Sequence, residues 1–405
     1  MRNISFAALV FAAVAAAQSP TFTPFHENGI YGLGERAGWT VAAAPSAQPV
    51  PYVIRTNNAV TVQTGTLDLS SGIATLETKL DEPAMLYVEV QTTPPIHLGA
   101  AIAPTRLQPS VARPADFDSF WDAKLKALAD IPIHAVLTPR ETTKPGVELS
   151  TVMLDSVGSH VQGYLAKPAR EGKFPALVIY QYAGVYALRP ETVTDRAAEG
   201  WLAFDIDSHD LAPDQATGAD TRYYTIGNTD REACYFLDMY LRDARAIDYI
   251  RSRPDWDGKT IVLTGTSMGG QQSLVTAALR PGVTAVLVNE PSGADSNGDL
   301  HGRKAGYPNW DSKNPKVMQT AVYFDTVNFA PRIQAPVLAA IGFIDTISPP
   351  AGLWTMVNQI PGAKQVISMI ESDHNNLTPE KQGEWNARSK AALNLILNGG
   401  EFKLR

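Results

Sequence analysis

The chain of 405 residues contains a single cysteine, Cys234, so no intrachain disulfide can form. Nothing near Cys234 resembles the surroundings that activate a cysteine nucleophile, and a lone thiol in a helical pattern indicates buried packing. The fold must therefore be held by its hydrophobic core. A chain of this length, 44% hydrophobic, can bury a large one, and its length predicts one large and one small domain.

Basic runs are also lacking, and the formal net charge is −7. Nucleic acid and anionic membrane surfaces are therefore poor partners for this chain.

Long apolar runs are absent beyond the N-terminus. There, Arg2 precedes the apolar stretch 4–14 and the small residues Ala15, Ala16 and Ala17. This pattern predicts a signal peptide, residues 1–17, that is removed during export, so we expect a secreted or periplasmic protein with no membrane contact after cleavage. The stretch is shorter than the roughly 20 apolar residues of a spanning helix, although an uncleaved N-terminal anchor is the alternative interpretation.

Two sequence textures follow. Residues 20–92 alternate in short strand-like runs separated by turns, which predicts a small β-sandwich as the N-terminal domain. A spacer or interface role for this domain is favoured over glycan binding. Residues 93–114 carry five prolines and are predicted to form a stiff linker.

Residues 115–405 alternate between strand-like and helix-like segments after a leading hairpin, 148–154 with 160–167. Unbroken apolar strands indicate a sheet that is covered on both faces. We therefore predict a doubly wound, mostly parallel α/β domain. The expected strands are 175–180, 201–206, 260–264, 283–288, 336–342 and 365–370.

The segment Gly265–Gly270 reads G-T-S-M-G-G and lies between a strand-like and a helix-like run. This is the G-x-S-x-G nucleophile elbow in its strand–turn–helix context, so Ser267 is the predicted nucleophile. Glycines two residues before and after the serine relieve the crowding of the tight turn. A plain helix N-cap is the alternative role for Ser267.

The doubly wound sheet and the elbow together predict the α/β-hydrolase fold, in which the chain order is serine, then an acid, then histidine. Asp345 follows one predicted strand and His374 follows the next, and His374 alone among seven histidines comes after the acid. We predict His374 as the base and Asp345 as the acid that orients it. Alternatively, Asp345 caps a turn and Asp373 is the acid, although its adjacency to His374 makes that geometry awkward.

An oxyanion hole requires two backbone N–H groups. Met268, after the nucleophile, would supply one, and the loop after the third strand of the hydrolase sheet would supply the other, with Ala183 preferred over Tyr182. Alternatively, this loop only shapes the pocket wall. No cofactor or metal is expected, because Asp205 and Asp207 alternate along a strand and no clustered ligand spacing is present.

From Asp116 to about Leu397 the chain resembles the acetyl xylan esterase/cephalosporin C deacetylase group, carbohydrate esterase family 7. The segments that carry the resemblance are 115–121, 240–247, 323–330 and 336–350. The resemblance implies that Asp345 is the catalytic acid. It also implies removal of acetyl groups from xylan or xylo-oligosaccharides. Members of the family often form an oligomeric ring, which the N-terminal domain would block or alter, so a homo-oligomer is kept as an alternative to a monomer.

Three segments depart from the family pattern. Ser208-His209-Asp210 stands in place of Arg-Gly-Gln, Gln181-Tyr182-Ala183 in place of His-Gly-Tyr, and His374-Asn375 in place of His-Glu. All three lie on the expected catalytic face, so the reaction type is predicted more firmly than the substrate.

The segment 290–309 is polar and has aromatic rings in or near it, those of His301, Tyr307 and Trp310. These rings would stack on sugar rings or, alternatively, only anchor the loop. Altogether the sequence predicts a secreted serine esterase that acts on acetylated carbohydrate or small acetyl esters. The alternatives are a broad carboxylesterase or peptidase on the same triad, and a non-catalytic carbohydrate-binding protein.

Overall fold

A computed structural model of the chain describes residues 19–375 and 378–404. The predicted signal peptide, residues 1–17, lies outside the described residues. Within them, a small β domain precedes a large α/β domain, as the two sequence textures predicted.

The N-terminal domain contains a three-stranded sheet, β1-β3-β6, that packs on a five-stranded sheet, β2-β8-β7-β4-β5. A shared core that includes Trp39 and Leu76 of one sheet and Ile54 and Val88 of the other fills the space between them. The predicted sandwich is therefore confirmed. All its strand pairs are antiparallel except β2 with β8. The strands are β1 (Thr21–Pro24), β2 (Ile30–Tyr31), β3 (Arg36–Ala42), β4 (Val50–Thr56), β5 (Val60–Leu67), β6 (Ile73–Lys79), β7 (Ala84–Val90) and β8 (Ile96–Ile102).

The predicted linker 93–114 is wrong in its first half, because β8 lies within it and pairs with β7 along its whole length. The prolines flank this strand, and its small apolar residues 99–102 are buried. The second half is bound to the α/β domain rather than free. Ser110 donates to both carboxylate oxygens of Asp295, at 2.9 and 2.7 Å, and Arg113 donates to the carbonyl of Asn328 at 2.8 Å.

The α/β domain is built on a nine-stranded sheet in the order β17-β16-β15-β14-β12-β13-β11-β10-β9. The six strands from β17 to β13 in that order are parallel, and the predicted hairpin β10–β11 precedes them as an antiparallel extension. The strands are β9 (Val136–Arg140), β10 (Val147–Asp155), β11 (His160–Pro168), β12 (Phe174–Tyr180), β13 (Leu202–Asp207), β14 (Trp256–Thr266), β15 (Ala285–Asn289), β16 (Val337–Gly342) and β17 (Lys364–Met369).

Helices cover both faces of this sheet, as buried apolar strands require. Successive residues of a strand point to opposite faces, so Leu263 packs with α1, α3, α4 and α7 while Val262 packs with α2 and α8.

No helix in the described ranges has the length and apolar character needed to cross a membrane. The helices are α1 (Phe117–Ala129), α2 (Glu191–Glu199), α3 (Tyr235–Ser252), α4 (Met268–Leu279), α5 (Pro315–Ala321), α6 (Thr326–Phe329), α7 (Pro350–Gln359) and α8 (Pro379–Leu397).

Two glycines bring the N-terminal domain against the loops that leave β16 and β17. A Cβ at Gly99 would lie 2.6 Å from the Cβ of Phe343, and one at Gly29 would lie 2.7 Å from Cγ2 of Ile370. Phe343 precedes Asp345 by two residues and Ile370 precedes His374 by four. The β domain therefore contacts the two segments that carry the predicted acid and base.

Candidate active site

The predicted elbow forms at the junction of β14 and α4. Ser267 has a positive φ of 57°, a backbone conformation that is strained for any residue other than glycine. A Cβ at Gly265 would lie 2.3 Å from the carbonyl carbon of Gly269, and one at Gly269 would lie 2.2 Å from the carbonyl oxygen of Tyr180. The crowding expected from the sequence is thus present, and only glycine fits at both positions.

His374 lies within hydrogen-bonding distance of both predicted partners. Its Nε2 is 2.8 Å from the Oγ of Ser267, and its Nδ1 is 2.7 Å from Oδ2 of Asp345. An ionised carboxylate only accepts, so Nδ1 carries the proton and Nε2 accepts from the Ser267 hydroxyl. The structure therefore brings the three predicted triad residues into one line, although they are spread over more than a hundred positions.

Burial by itself would lower the pKa of His374, but the hydrogen bond to Asp345 and its charge, with smaller contributions from Glu290 and Asp373, raise it overall. Asp345 is buried, and its other oxygen, Oδ1, accepts from the backbone N–H groups of Ile347 and Ser348, both at 2.8 Å. This second oxygen fixes the carboxylate plane.

Two further serines close a ring around the triad. The Oγ of Ser292 is 3.1 Å from the Oγ of Ser267 and 2.8 Å from the Oγ of Ser348. Because the Ser267 proton is directed to His374, Ser292 donates to Ser267 and in turn accepts from Ser348. The nucleophile oxygen is thus held by an acceptor on one side and a donor on the other.

Glu290, directly after β15, is a second buried carboxyl near the base. Oxygens of Glu290 and Asp345 and a ring nitrogen of His374 lie within 4.8 Å of one another. Such a cluster has donors suited to a metal ion, yet both His374 nitrogens are already engaged by Ser267 and Asp345. The arrangement therefore fits an acid–base site better than a cation site.

The loop after β12, residues 181–184, packs beside the elbow because β12 and β14 are neighbours. Gln181 ties it down: its Oε1 accepts from the N–H of Ser208 at 2.9 Å, and its own carbonyl accepts from Gln272 at 2.9 Å. Met268 at the start of α4 and the loop residues Ala183 and Tyr182 are therefore at the same end of the sheet, as an oxyanion hole requires. Ala183 is half-buried and Tyr182 is exposed.

His209, in one of the departures from the family pattern, supports this loop. Its Nε2 lies 2.8 Å from the carbonyl oxygen of Gly184, and its Nδ1 lies 3.0 Å from the hydroxyl of Tyr235. Burial lowers the pKa of His209 to about 4, so the ring is neutral at neutral pH. A neutral ring with its proton on Nε2 donates to Gly184 and accepts from Tyr235.

Aromatic residues line the side of the elbow next to Met268. The hydroxyl of Tyr307 is 2.7 Å from that of Tyr223 and 3.1 Å from the sulfur of Met268. Trp310 is buried and donates to the carbonyl of Tyr224 at 2.7 Å, so it anchors its loop, while His301 is exposed.

The remaining sequence alternatives have clear positions. Cys234 is buried and its pKa is raised to about 12 by burial, so the thiol stays protonated. Asp205 and Asp207 are both buried at the end of β13. Asp373 accepts from the backbone N–H of Asn375 at 2.9 Å and faces Lys381 at 3.9 Å, while the short contact to the His374 ring is made by Asp345.

Sequence reasoning missed Ser292, Ser348 and Glu290. A signal was available for two of them, because Glu290 and Ser292 follow a predicted strand in the way that Asp345 does. Their roles depend on which side chains meet across neighbouring strands, and no local sequence pattern shows those meetings.

Comparisons with known proteins identify the family of the chain. A model of the family described as acetyl xylan esterase (AXE1) matches residues 105–297 and 306–388. The chain is 31% identical over 375 residues to the acetyl esterase Axe7A of Xylanibacter ruminicola, across 87% of this chain and 85% of that protein.

Solved structures share the fold. An acetyl xylan esterase from Paenibacillus sp. R4 superposes with a TM-score of 0.62 and 25% identity, over 71% of this chain and 98% of that one. Acetyl xylan esterase 1 from Thermoanaerobacterium sp. JW/SL YS485 gives 0.61 and 22%, over 72% and 97%. The family model and the 31% identical relative show that the chain belongs to the acetyl xylan esterase (AXE1) family of α/β-hydrolases and is a carboxylic ester hydrolase, with the fold that the solved structures share.

Proposed function

We propose that the chain is an exported serine esterase that removes acetyl groups from acetylated xylan, xylo-oligosaccharides or similar small acetyl esters. The observation that carries the proposal is the continuous hydrogen-bonded line from Ser267 through His374 to Asp345. The acetyl substrate class is supported by the relatives, one an acetyl esterase and another an acetyl xylan esterase.

In the first half-reaction the Oγ of Ser267 attacks the acetyl carbonyl carbon while His374 Nε2 takes its proton. Asp345 stabilises the imidazolium that results. The backbone N–H of Met268 donates to the negatively charged carbonyl oxygen. A second N–H, that of Ala183 or alternatively that of Tyr182, donates to the same oxygen. The bond to the sugar oxygen then breaks, and His374 returns the proton to that leaving oxygen.

In the second half-reaction water attacks the acetyl-serine. His374 takes a proton from the water, the bond to Ser267 breaks, and the serine oxygen recovers a proton from His374. Acetate leaves and the resting state is restored. The tautomer assigned above, with Nε2 as acceptor, is the one that both steps need.

The first test is hydrolysis of 4-nitrophenyl acetate by the wild type and by Ser267→Ala. We expect turnover by the wild type and its loss in the variant. Equal, near-zero rates would instead favour a non-catalytic carbohydrate-binding protein.

Substrate class needs a second test, the release of acetate from acetylated xylan and from acetylated small molecules. We expect acetyl esters to be preferred over longer acyl esters, because each methylene added to the acyl group costs about 1–3 kcal/mol of transition-state binding free energy in a small pocket. A flat response to acyl length would favour a broad carboxylesterase, and cleavage of peptides in preference to esters would favour a peptidase.

Export is supported by the N-terminal pattern of Arg2, the apolar stretch and the alanines at 15–17. We expect the mature protein in the secreted or periplasmic fraction, with Gln18 as its first residue by N-terminal sequencing. A cell-associated protein that retains Met1 or Arg2 would contradict this part of the proposal.

A further inference from the structure

Glu290 occupies an unusual position next to the base. It is completely buried directly after β15, the strand between those that lead to the nucleophile and to the acid. Its backbone is left-handed, with φ of 44°, and its N–H is held by the carbonyl of Ala340 at 2.9 Å. A bulky side chain in this conformation is strained, and such strain persists where the surrounding structure imposes it.

The carboxyl of Glu290 is held by one hydrogen bond. Its Oε1 accepts from the hydroxyl of Ser372 at 2.8 Å. Gln382 donates to that same hydroxyl oxygen at 2.9 Å, so the Ser372 proton is directed to Glu290. Asn289 in turn donates to Gln382 at 3.0 Å. The other oxygen of Glu290, Oε2, has no hydrogen-bond partner among the described residues.

Space for this carboxyl depends on Gly342, the last residue of β16. A Cβ at that position would lie 2.6 Å from Oε1 of Glu290. The buried carboxyl is thereby kept within 4.8 Å of both a carboxylate oxygen of Asp345 and a ring nitrogen of His374.

We propose that Glu290 is a positioning residue for the base: its carboxylate, beside that of Asp345, stabilises the imidazolium that His374 becomes when it takes the proton of Ser267. Glu290 bonds to neither the nucleophile nor Met268, so it acts through His374. The inference rests on the proposed esterase mechanism.

The charged groups around Glu290 determine the direction of the effect. Asp345 faces it from the loop after β16, and Asp373 and His374 face it from the loop after β17. Lys381 of α8 is the nearby positive charge, with its Nζ 3.9 Å from Oδ2 of Asp373. Burial first, and then the charge of Asp345, raise the pKa of Glu290 to about 7, while the Ser372 hydrogen bond opposes the rise. In its ionised form Glu290 raises the pKa of His374.

The test is Glu290→Gln, which keeps the shape and the acceptor for Ser372 but removes the charge. Without the neighbouring anion the pKa of His374 falls, so the acid limb of kcat/KM for 4-nitrophenyl acetate should move down by about one pH unit. The plateau kcat should fall about tenfold, because the imidazolium is less stable in the transition state. Glu371→Gln, an equal loss of charge at an exposed position of the loop that carries His374, is the matched control and should leave both unchanged.

A lower plateau with an unmoved acid limb would assign Glu290 a merely structural role and overturn the proposal, as would no change at all. Ser372→Ala provides a second variant if Glu290→Gln folds poorly. It leaves Glu290 protonated to higher pH, so the limb should move in the same direction by less, and combining it with Glu290→Gln should add no further shift.

A readout independent of turnover separates this inference from the proposed function. The pKa of His374 can be measured by NMR in protein with 13C-labelled histidine, assigned by the signal that His374→Ala removes. We expect a lower value in Glu290→Gln than in the wild type. If the wild type hydrolyses no acetyl ester, the proposed function fails while this titration still decides the inference. An unchanged His374 pKa would overturn it.

Discussion

The two sides of the active site are held together by different means. On the acid–base side, backbone N–H groups fix Asp345, and the strand order of β14 to β17 sets the spacing of nucleophile, acid and base. On the oxyanion side, the loop 181–184 is positioned by side chains, chiefly those of Gln181 and His209. The first side follows from backbone topology, and the second depends on a few particular residues. Substitutions on the oxyanion side should therefore cost less activity than substitutions on the acid–base side.

The largest effect is expected on the acid–base side, from His374→Ala. Without the base, kcat should fall by about 10⁴-fold or more, with thermal unfolding nearly unchanged because Asp345 keeps its hydrogen bonds from the N–H groups of Ile347 and Ser348. The measurement is kcat on 4-nitrophenyl acetate alongside a thermal melt. A variant that keeps most of its activity would remove His374 from the mechanism.

Asp345→Asn should be nearly as damaging, lowering kcat by about 10³- to 10⁴-fold, because an amide favours the wrong tautomer of His374. Asp373→Asn is the matched control, an adjacent carboxylate outside the hydrogen-bonded line, and it should cost far less. If the Asp373 variant is the crippled one, the acid assignment is wrong.

The oxyanion side should tolerate more. His209→Phe keeps a ring of similar size but loses the hydrogen bond to Gly184, so the loop shifts and kcat should fall about 10- to 100-fold. Tyr235→Phe, which removes only the hydroxyl on the other side of that ring, should have a smaller effect. A loss as large as that of His374→Ala would show that the two sides are equally critical.

Burial of His209 also predicts that the free energy of unfolding depends on pH. The pKa of His209 is lowered to about 4 from a usual value near 6.5, so the unfolded chain binds the proton more readily than the folded one. The wild type should therefore lose free energy of unfolding, relative to His209→Phe, as the pH falls from about 6.5 to about 4. Denaturant melts of both proteins at pH 7, 5.5 and 4.5 measure the difference, and a constant difference would contradict it.

The smallest effect is expected for Ser292→Ala. Losing one neutral hydrogen bond to the nucleophile oxygen should lower kcat about three- to tenfold with little change in KM. Ser348→Ala, which keeps its backbone N–H to Asp345, should have less effect still. A drop comparable to that of Asp345→Asn would mean that the acid–base side depends on side chains as much as the oxyanion side does.

The sequence predicted what depends on local patterns. The glycines around Ser267 and the apolar runs before Asp345 and His374 carry their structural meaning within a few residues, so the elbow and the strands were predictable. The pairing of Gln181 with Ser208 or of Ser292 with Ser348 joins residues far apart in the chain, and composition contains no record of it. The strand Ile96–Ile102 was missed because prolines flank it, although its buried apolar residues fit a strand.

The contact of Gly29 and Gly99 with Phe343 and Ile370 joins the N-terminal domain to the segments that follow β16 and β17. Domains generally fold as units and N-terminal ones emerge first during synthesis. The β-sandwich would then be complete before the final strands of the hydrolase leave the ribosome, and it would offer them a finished surface on which to dock.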